Sequence, residues 1–154
     1  MNERFEFGLA LVQEAGKLAL GYFNARDQLT IQNKGPQDLA SEADVNTELL
    51  IRDRLAKAFP QDAFLGEETE PTEYTAGQGI WVVDPIDGTQ PFILGMTSWC
   101  VSIGFMQDGI IQFGITFSTL LALNNAARQG ARIGVTTQNT CGDVMAEVKS
   151  GSVS

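Results

Sequence analysis

The chain has 154 residues, of which 44% are hydrophobic and 19% are charged, a balance typical of one globular domain with a core. It contains no histidine, which excludes a Ser-His-Asp triad, a Cys-His dyad and a histidine-ligated zinc site. The net charge of −9 arises within residues 1–90, which hold 16 acids and 7 bases; this sign argues against a nucleic-acid partner and favours divalent cations.

No apolar run approaches the ~20 residues that a membrane span requires. The N-terminus also lacks the positively charged and then apolar order of a signal peptide. We therefore expect a cytoplasmic protein without a membrane partner.

The first predicted element is a helix over residues 3–24, where apolar residues recur at three- and four-residue spacing. A short extended segment is expected at 29–32. The run Lys34-Gly35-Pro36 then predicts a turn or loop.

A second helix is predicted to begin at Ser41, because Ser41-Glu42-Ala43-Asp44 fits a capping box, and to stop at Pro60. Arg52 falls within its apolar stripe, where snorkelling of the side chain to the edge and a functional role are both open. The inward face is expected to carry Val45, Leu49, Leu55, Ala56 and Phe59.

After residue 60 the apolar pattern becomes typical of strands. The dipeptide Asp108-Gly109 between two apolar runs predicts a hairpin. The expected strands are 63–65, 80–83, 98–106, 110–117, 120–127 and 131–136.

The segment Asp84-Pro85-Ile86-Asp87-Gly88-Thr89 follows directly on a predicted buried strand. Two acids three residues apart on a turn stiffened by proline can converge on hard cations, which prefer carboxylate oxygens. The N–H groups of Gly88 and Thr89 could bind a phosphate if a helix begins there. The same spacing is also ordinary in loops, so the segment alone leaves both interpretations open.

Gly66-Glu67-Glu68 closes another predicted strand and could bring further carboxylates to the same sheet edge. A solvated acidic loop is the alternative. Asp44 likewise has a purely structural explanation as the third helical residue of the capping box.

Three segments together resemble the inositol monophosphatase family: Ser41-Glu42-Ala43-Asp44, Gly66-Glu67-Glu68 and the run from Trp81 to Thr89. The family motifs are G-E-E followed by W-x-x-D-P-[IL]-D-G-T, and the resemblance covers about residues 5–135. It implies a layered α+β fold, in which two N-terminal helices pack on a mostly antiparallel sheet. It also implies Mg²⁺ dependence and hydrolysis of small phosphomonoesters such as inositol monophosphate.

The resemblance also implies a metal site. Glu67, Asp84 and the main-chain carbonyl of Ile86 match the ligands of a first metal ion in the family. Asp84 and Asp87 match ligands of a second. Mg²⁺ is therefore the expected cofactor.

The resemblance further implies catalytic and phosphate-binding residues. Thr89, supported by Asp44, matches the group that orients and deprotonates the attacking water together with Glu67. The main-chain N–H groups of Gly88 and Thr89 match the donors to the phosphate.

The chain departs from the family pattern directly after this motif. The family commonly continues Thr-Asn-Phe, whereas this chain has Gln90-Pro91-Phe92. Proline is tolerated near the first turn of a helix, so the fold need not change. The run, together with Gly95 and Trp99, resembles the branch of the family that includes histidinol-phosphate phosphatases.

Family members carry a second α/β half, whose Trp-Asp-x-Ala-type motif completes the second metal site, and nothing similar follows residue 118. We therefore expect residues 1–135 to form the N-terminal domain of this family and residues 136–154 to form a divergent, poorly ordered tail. Exposed core surface would favour a homo-oligomer. Two functions stay open: an active phosphomonoesterase, or a truncated non-catalytic remnant that binds divalent cations or a partner subunit without turnover.

Overall fold

A computed structural model describes residues 3–29, 31–35, 38–118 and 133–136. Its helices are α1 (Glu3–Asn24), α2 (Glu42–Ala58) and the short α3 (Thr89–Ile93), with a single 3₁₀ turn at Arg26–Gln28. Its strands are β1 (Ile31–Gly35), β2 (Asp38–Ser41), β3 (Ala63–Gly66), β4 (Gly79–Asp87), β5 (Cys100–Gln107), β6 (Ile110–Ser118) and β7 (Ile133–Thr136).

The larger sheet has the strand order β3-β4-β5-β6-β7. Only β3 and β4 pair in parallel within it, while the other described pairs are antiparallel, and β1 and β2 form a separate antiparallel pair. The helices α1 and α2 contact this sheet, which confirms the predicted α+β class. The predicted strand at 131–136 is present as β7, whereas the strand at 120–127 and the tail beyond Thr136 lie outside the described residues.

The helix α1 lies against the sheet because its apolar stripe faces an aromatic layer. Trp81 and Phe105 lie 5.0 Å apart between ring centroids, and Phe113 lies 5.7 Å from Phe105. A Cβ added at Gly16 would collide with the ring of Phe117. The glycine that weakens the helix therefore allows its close approach to the sheet.

The helix α2 begins with the predicted capping box, in which Ser41 and Asp44 bond reciprocally. The predicted inward face was wrong in part, because Leu49 is 47% exposed and Ala56 is exposed. The residues that are buried instead include Asp44, Thr47 and Glu48. Asp44 and Glu48 turn inward because their hydrogen-bond partners lie there, which a hydrophobic stripe cannot predict.

The hairpin between β5 and β6 is confirmed at Asp108 and Gly109, whose φ angles are 55° and 74°. Two consecutive positive φ angles are the geometry that an Asp-Gly pair favours.

The sheet face opposite the helices exposes apolar side chains: Leu65 is 40%, Val82 37% and Ile111 60% exposed. This is the kind of surface that favours self-association, and a homo-oligomer stays a prediction. None of the helices formed by the described residues has the length and apolar composition needed to cross a membrane.

Candidate active site

The parallel pairing of β3 and β4 brings their carboxyl ends to one edge of the sheet. Gly66 pairs with Val83, so that Glu67 and Asp84 both follow directly on the last paired residues. A strand pair of this type places two side chains that are distant in sequence beside one another. The pairing therefore unites the two acidic motifs that the sequence suggested separately.

A bulge in β4 places Asp84 and Asp87 on the same side of the sheet. In a regular strand, residues three apart point to opposite faces. Here Asp84 pairs with Ser102 and Asp87 pairs with Cys100, so β4 has one more residue than β5 between the two pairs. The extra residue lies at Pro85-Ile86, where proline cannot donate a ladder hydrogen bond.

Asp84 is the most perturbed acid of the site. Burial, the charges of Glu67 and Asp87, and a hydrogen bond with Glu67 raise the pKa of Asp84 to about 8. Its Oδ1 atom is buried and has no hydrogen-bond partner among the described residues. A buried carboxylate oxygen without a donor is costly unless a cation neutralises it.

Asp87 contributes a second half-buried carboxylate. Burial raises the pKa of its carboxyl, which favours the neutral form until positive charge arrives. The strand that carries both acids also places the Ile86 carbonyl between them in sequence.

The described acids of this site do not surround a metal position completely. Among residues 3–29, 31–35, 38–118 and 133–136, no three acidic, histidine or cysteine side chains are gathered tightly enough to hold a metal ion. Glu67 and Asp84 form the close pair, and Asp87 acts on Asp84 through its charge. Mg²⁺ commonly uses only one or two protein carboxylates and keeps several waters, so the donor set fits this ion.

Thr89 links the end of β4 to the start of α2. Its Oγ1 lies 3.0 Å from Oδ1 of Asp44 and 3.1 Å from the Ile86 carbonyl oxygen. One hydroxyl hydrogen cannot bond both acceptors well, so either acceptor can take it. The structure thus brings Asp44, Thr89 and the Ile86 carbonyl together, while their roles in catalysis and metal binding stay predictions.

Asp44 is held in place by its own helix terminus. Its Oδ2 accepts hydrogen bonds from the Ser41 main-chain nitrogen at 2.9 Å and from Ser41 Oγ at 2.6 Å. The side chain is buried, with an exposed fraction of 1%. The capping box and the contact to Thr89 therefore use different oxygens of one carboxylate, and the two sequence interpretations of Asp44 are compatible.

Gly88 forms the turn into α3 with a φ angle of 95°. A Cβ at this position would lie 2.9 Å from the main-chain oxygen of Ser98. Glycine is therefore required on two grounds. The assignment of its N–H and that of Thr89 as phosphate donors stays a prediction.

The departure at Gln90-Pro91-Phe92 leaves the fold intact, as expected. Pro91 is the third residue of α3, where its missing N–H has no intrahelical acceptor. Phe92 is fully buried and lies 4.8 Å from the ring centroid of Trp99.

Glu48 is a site-adjacent residue that the sequence analysis missed. It is fully buried, and its carboxylate accepts hydrogen bonds from the main-chain nitrogens of Glu67, Glu68 and Thr69, each at 2.8 Å. The Thr69 hydroxyl completes the set at 2.6 Å.

Arg52 supports the same turn from one helical turn further along α2. Its Nη1 donates to Thr69 Oγ1 at 2.6 Å and to the Glu70 carbonyl at 2.8 Å. The guanidinium also lies 5.3 Å from the ring centroid of Phe64. Arg52 therefore anchors the segment after Glu67 rather than only reaching for solvent.

A sequence signal for these two residues was present. Asp44, Glu48 and Arg52 are spaced by four residues, which places three charged side chains along one helix face. The same line is also normal on a solvated helix face, and only the contacts to Thr89 and to residues 67–70 show that it faces the sheet edge.

Known proteins with similar sequences indicate the family of this chain. A sequence model described as the inositol monophosphatase family matches residues 1–150. The chain is 39% identical over 130 residues to the histidinol-phosphatase of Chlorobaculum parvum, a match that covers 83% of this chain and 49% of that protein. It is 38% identical over 107 residues to the inositol-1-monophosphatase of Rhizobium meliloti, covering 70% of this chain and 40% of that protein.

The fold is similar to that of the extragenic suppressor protein suhB from Bartonella henselae. Their TM-score is 0.77 at 27% identity, and the match covers 90% of this chain and 50% of that chain. The chain thus spans about half the length of the curated relatives it matches. Because the family model matches nearly the whole sequence, the chain belongs to the inositol monophosphatase family.

Proposed function

We propose that this chain is a Mg²⁺-dependent phosphomonoesterase that hydrolyses a small phosphorylated metabolite, such as inositol monophosphate, with an activated water. The observation that carries the proposal is the environment of Asp84. Its buried Oδ1 has no hydrogen-bond partner among the described residues, and its charged neighbours Glu67 and Asp87 are also acidic. Such a site is incomplete without a cation.

Glu67, Asp84 and the Ile86 carbonyl would hold a first ion, and Asp84 and Asp87 would hold a second. Bound Mg²⁺ would supply a Lewis acid that activates water and neutralises phosphate oxygens. The strand pairing and the β4 bulge determine where these acids leave the main chain, and a positioned main chain supports the preorganisation that phosphoryl transfer uses.

Thr89 and Asp44 would accept the proton that the attacking water loses. With the Thr89 hydroxyl hydrogen donated to Asp44, Oγ1 of Thr89 can accept a hydrogen bond from the attacking water. As the water attacks phosphorus, its proton would pass to Thr89 and the Thr89 hydrogen to Asp44. Glu67 would accept a hydrogen bond from the second hydrogen of the water, and the Gly88 and Thr89 N–H groups would face the phosphate. As the new P–O bond forms, the P–O bond to the alcohol would break, and the alcohol oxygen would take up a proton from solvent water.

The family relatives support the reaction class. Those named above are a histidinol-phosphatase and an inositol-1-monophosphatase. Similarity to the first agrees with the predicted branch, and both substrates belong in the test.

A second function, cation binding without turnover, stays the alternative. The observation that favours it is that the described acids form one close pair, Glu67 and Asp84, and do not surround a metal site completely.

Phosphate release from histidinol phosphate, inositol monophosphate and sugar phosphates tests the proposal, measured with Mg²⁺ and with a chelator. We expect Mg²⁺-dependent release that Asp84→Asn abolishes. Glu14→Gln is the matched control, because Glu14 pairs with Arg54 on the exposed side of the helices. A chain that binds Mg²⁺ but releases no phosphate would support the non-catalytic function, and one that does neither would contradict both.

A further inference from the structure

We infer that Glu48 is a positioning residue, which fixes the turn Glu67-Glu68-Thr69 so that the Glu67 carboxylate faces Asp84. This inference rests on the proposed function, since it concerns a residue expected to hold the cation. Glu48 itself lies behind the turn and is not a candidate ligand, because its oxygens are already occupied by hydrogen-bond donors.

The distribution of the donors explains why an acid is needed. Oε2 of Glu48 accepts from the nitrogens of Glu67 and Glu68, and Oε1 accepts from the nitrogen and hydroxyl of Thr69. A carboxylate offers about four acceptor positions and no donor. Three consecutive N–H groups that converge on one point form a nest for an anion, and Glu48 supplies that anion from within the protein.

An amide cannot replace this carboxylate. Glutamine has the same shape, but its NH₂ group would face N–H donors that cannot accept a hydrogen bond. With an exposed fraction of 0%, Glu48 has no route by which water could relieve the mismatch without opening the turn.

Gly66 supplies an independent observation. A Cβ added at Gly66 would collide with the carboxyl group of Glu48. Gly66 lies in β3, where its φ is not in the positive range, so the reason for glycine here is space for the carboxylate. The G-E-E motif and Glu48 are therefore two halves of one contact.

Arg52 holds the far side of the same turn. It donates to Thr69 Oγ1, whose own hydrogen is donated to Glu48. The main chain from Glu67 to Glu70 is thus bonded to two residues of α2 that are four positions apart. Since Glu67 follows β3 directly, holding this backbone sets where its side chain leaves the strand.

Mn²⁺ titration of the full chain, followed by electron paramagnetic resonance, tests the inference with Glu48→Gln. Loss of a group that orients a ligand typically weakens metal binding by about 10- to 100-fold, and we expect a loss in this range. Glu14→Gln removes an acid of the same type far from the turn and should leave Mn²⁺ affinity unchanged.

Amide hydrogen exchange without metal separates a local from a general effect. We expect Glu48→Gln to accelerate exchange at residues 67–69 by about tenfold or more, while amides of α1 keep their rates. Uniform acceleration across the fold, with Mn²⁺ affinity unchanged, would overturn the inference.

A double-mutant cycle adds a test that stays valid even if each single variant is destabilised. Gly66→Ala should destabilise the wild-type chain strongly but cost much less in the Glu48→Ala background, where the colliding carboxylate is gone. Additive effects would contradict the contact. A wild-type chain that binds no Mn²⁺ would overturn the proposed function along with this inference, whereas equal Mn²⁺ binding by wild type and Glu48→Gln would overturn the inference alone.

Discussion

A buried acid lies near each end of the β3–β4 pair, and the two acids have opposite electrostatic surroundings. Asp62, just before β3, receives two hydrogen bonds from Arg4 at 2.7 and 2.9 Å and one from Trp81 Nε1 at 3.0 Å. Asp84, near the other end, has a buried oxygen without a hydrogen-bond partner among the described residues and two acidic neighbours. The fold neutralises Asp62 with its own cation, Arg4, whereas the neighbours of Asp84 are acids, and the proposed Mg²⁺ would supply the positive charge there.

Arg4, which carries the positive charge beside Asp62, makes further contacts. The Arg4 guanidinium lies 5.1 Å from the ring centroids of both Phe59 and Phe105. Its hydrogen bonds to Asp62 raise the pKa of Arg4 further. This cluster ties the start of α1 to the start of the parallel strand pair, where no chemistry is expected.

The largest expected effect comes from breaking the neutralised end. Asp62→Asn removes the charge that Arg4 and Trp81 share, and we expect a loss of about 3 kcal/mol in the free energy of unfolding. Urea denaturation without divalent cations measures it. Mn²⁺ affinity should be unchanged, and a comparable loss of affinity would contradict the separation of the two ends.

The next largest effect is the stabilisation of the chain by a divalent cation at the Asp84 end of the strand pair. Mg²⁺ at about 100 times its dissociation constant should stabilise the wild-type chain by about 2.7 kcal/mol. Asp84→Asn should abolish the resulting rise in Tm, because it removes the carboxylate with the unpartnered oxygen. A rise in Tm that persists in this variant would place the cation elsewhere on the molecule.

A smaller effect should appear as a pH dependence without metal. The folded chain holds the pKa of Asp84 at about 8, against about 3.9 in an unfolded chain. Folding therefore takes up a proton between these values, so this contribution to stability is complete below about pH 4 and is lost as pH rises through 8.

We expect the free energy of unfolding to fall between pH 5 and pH 8, as measured by urea denaturation in chelator. Asp84→Asn should flatten the profile and raise metal-free stability at pH 8, whereas Asp62→Asn should keep the slope. Stability that rises with pH across this range in the wild-type chain would contradict the electrostatic account of the site.

The same contrast explains what the sequence could predict. The α1 boundaries, the capping box and the Asp-Gly hairpin depend on local chemistry, and the structure confirms each. The convergence of Glu67 with Asp84 was suggested by motif order, and it depends on strands whose pairing is parallel and non-local.

Local sequence patterns did not predict the burial of Glu48 or the bulge at Pro85. An acid on a helix face normally indicates solvent, and only the tertiary contact to three amide groups makes burial of Glu48 favourable. Likewise, Asp84 and Asp87 share a side only because β5 has one residue fewer between their partners. The sequence identified both acids, but the relative directions of their side chains depend on the pairing of β4 with β5.

The smallest expected effect concerns an acid that belongs to neither end. Glu14 lies 2.8 Å from Arg54 between α1 and α2, where both side chains are more than 40% exposed. Water already solvates each partner, so Glu14→Gln should change the free energy of unfolding far less than Asp62→Asn does. Urea denaturation at low and high salt measures it, and the difference from wild type should shrink as salt screens the pair. A cost near that of Asp62→Asn would mean that exposure does not decide the strength of these ion pairs, and the contrast between the two ends of the sheet would lose its physical basis.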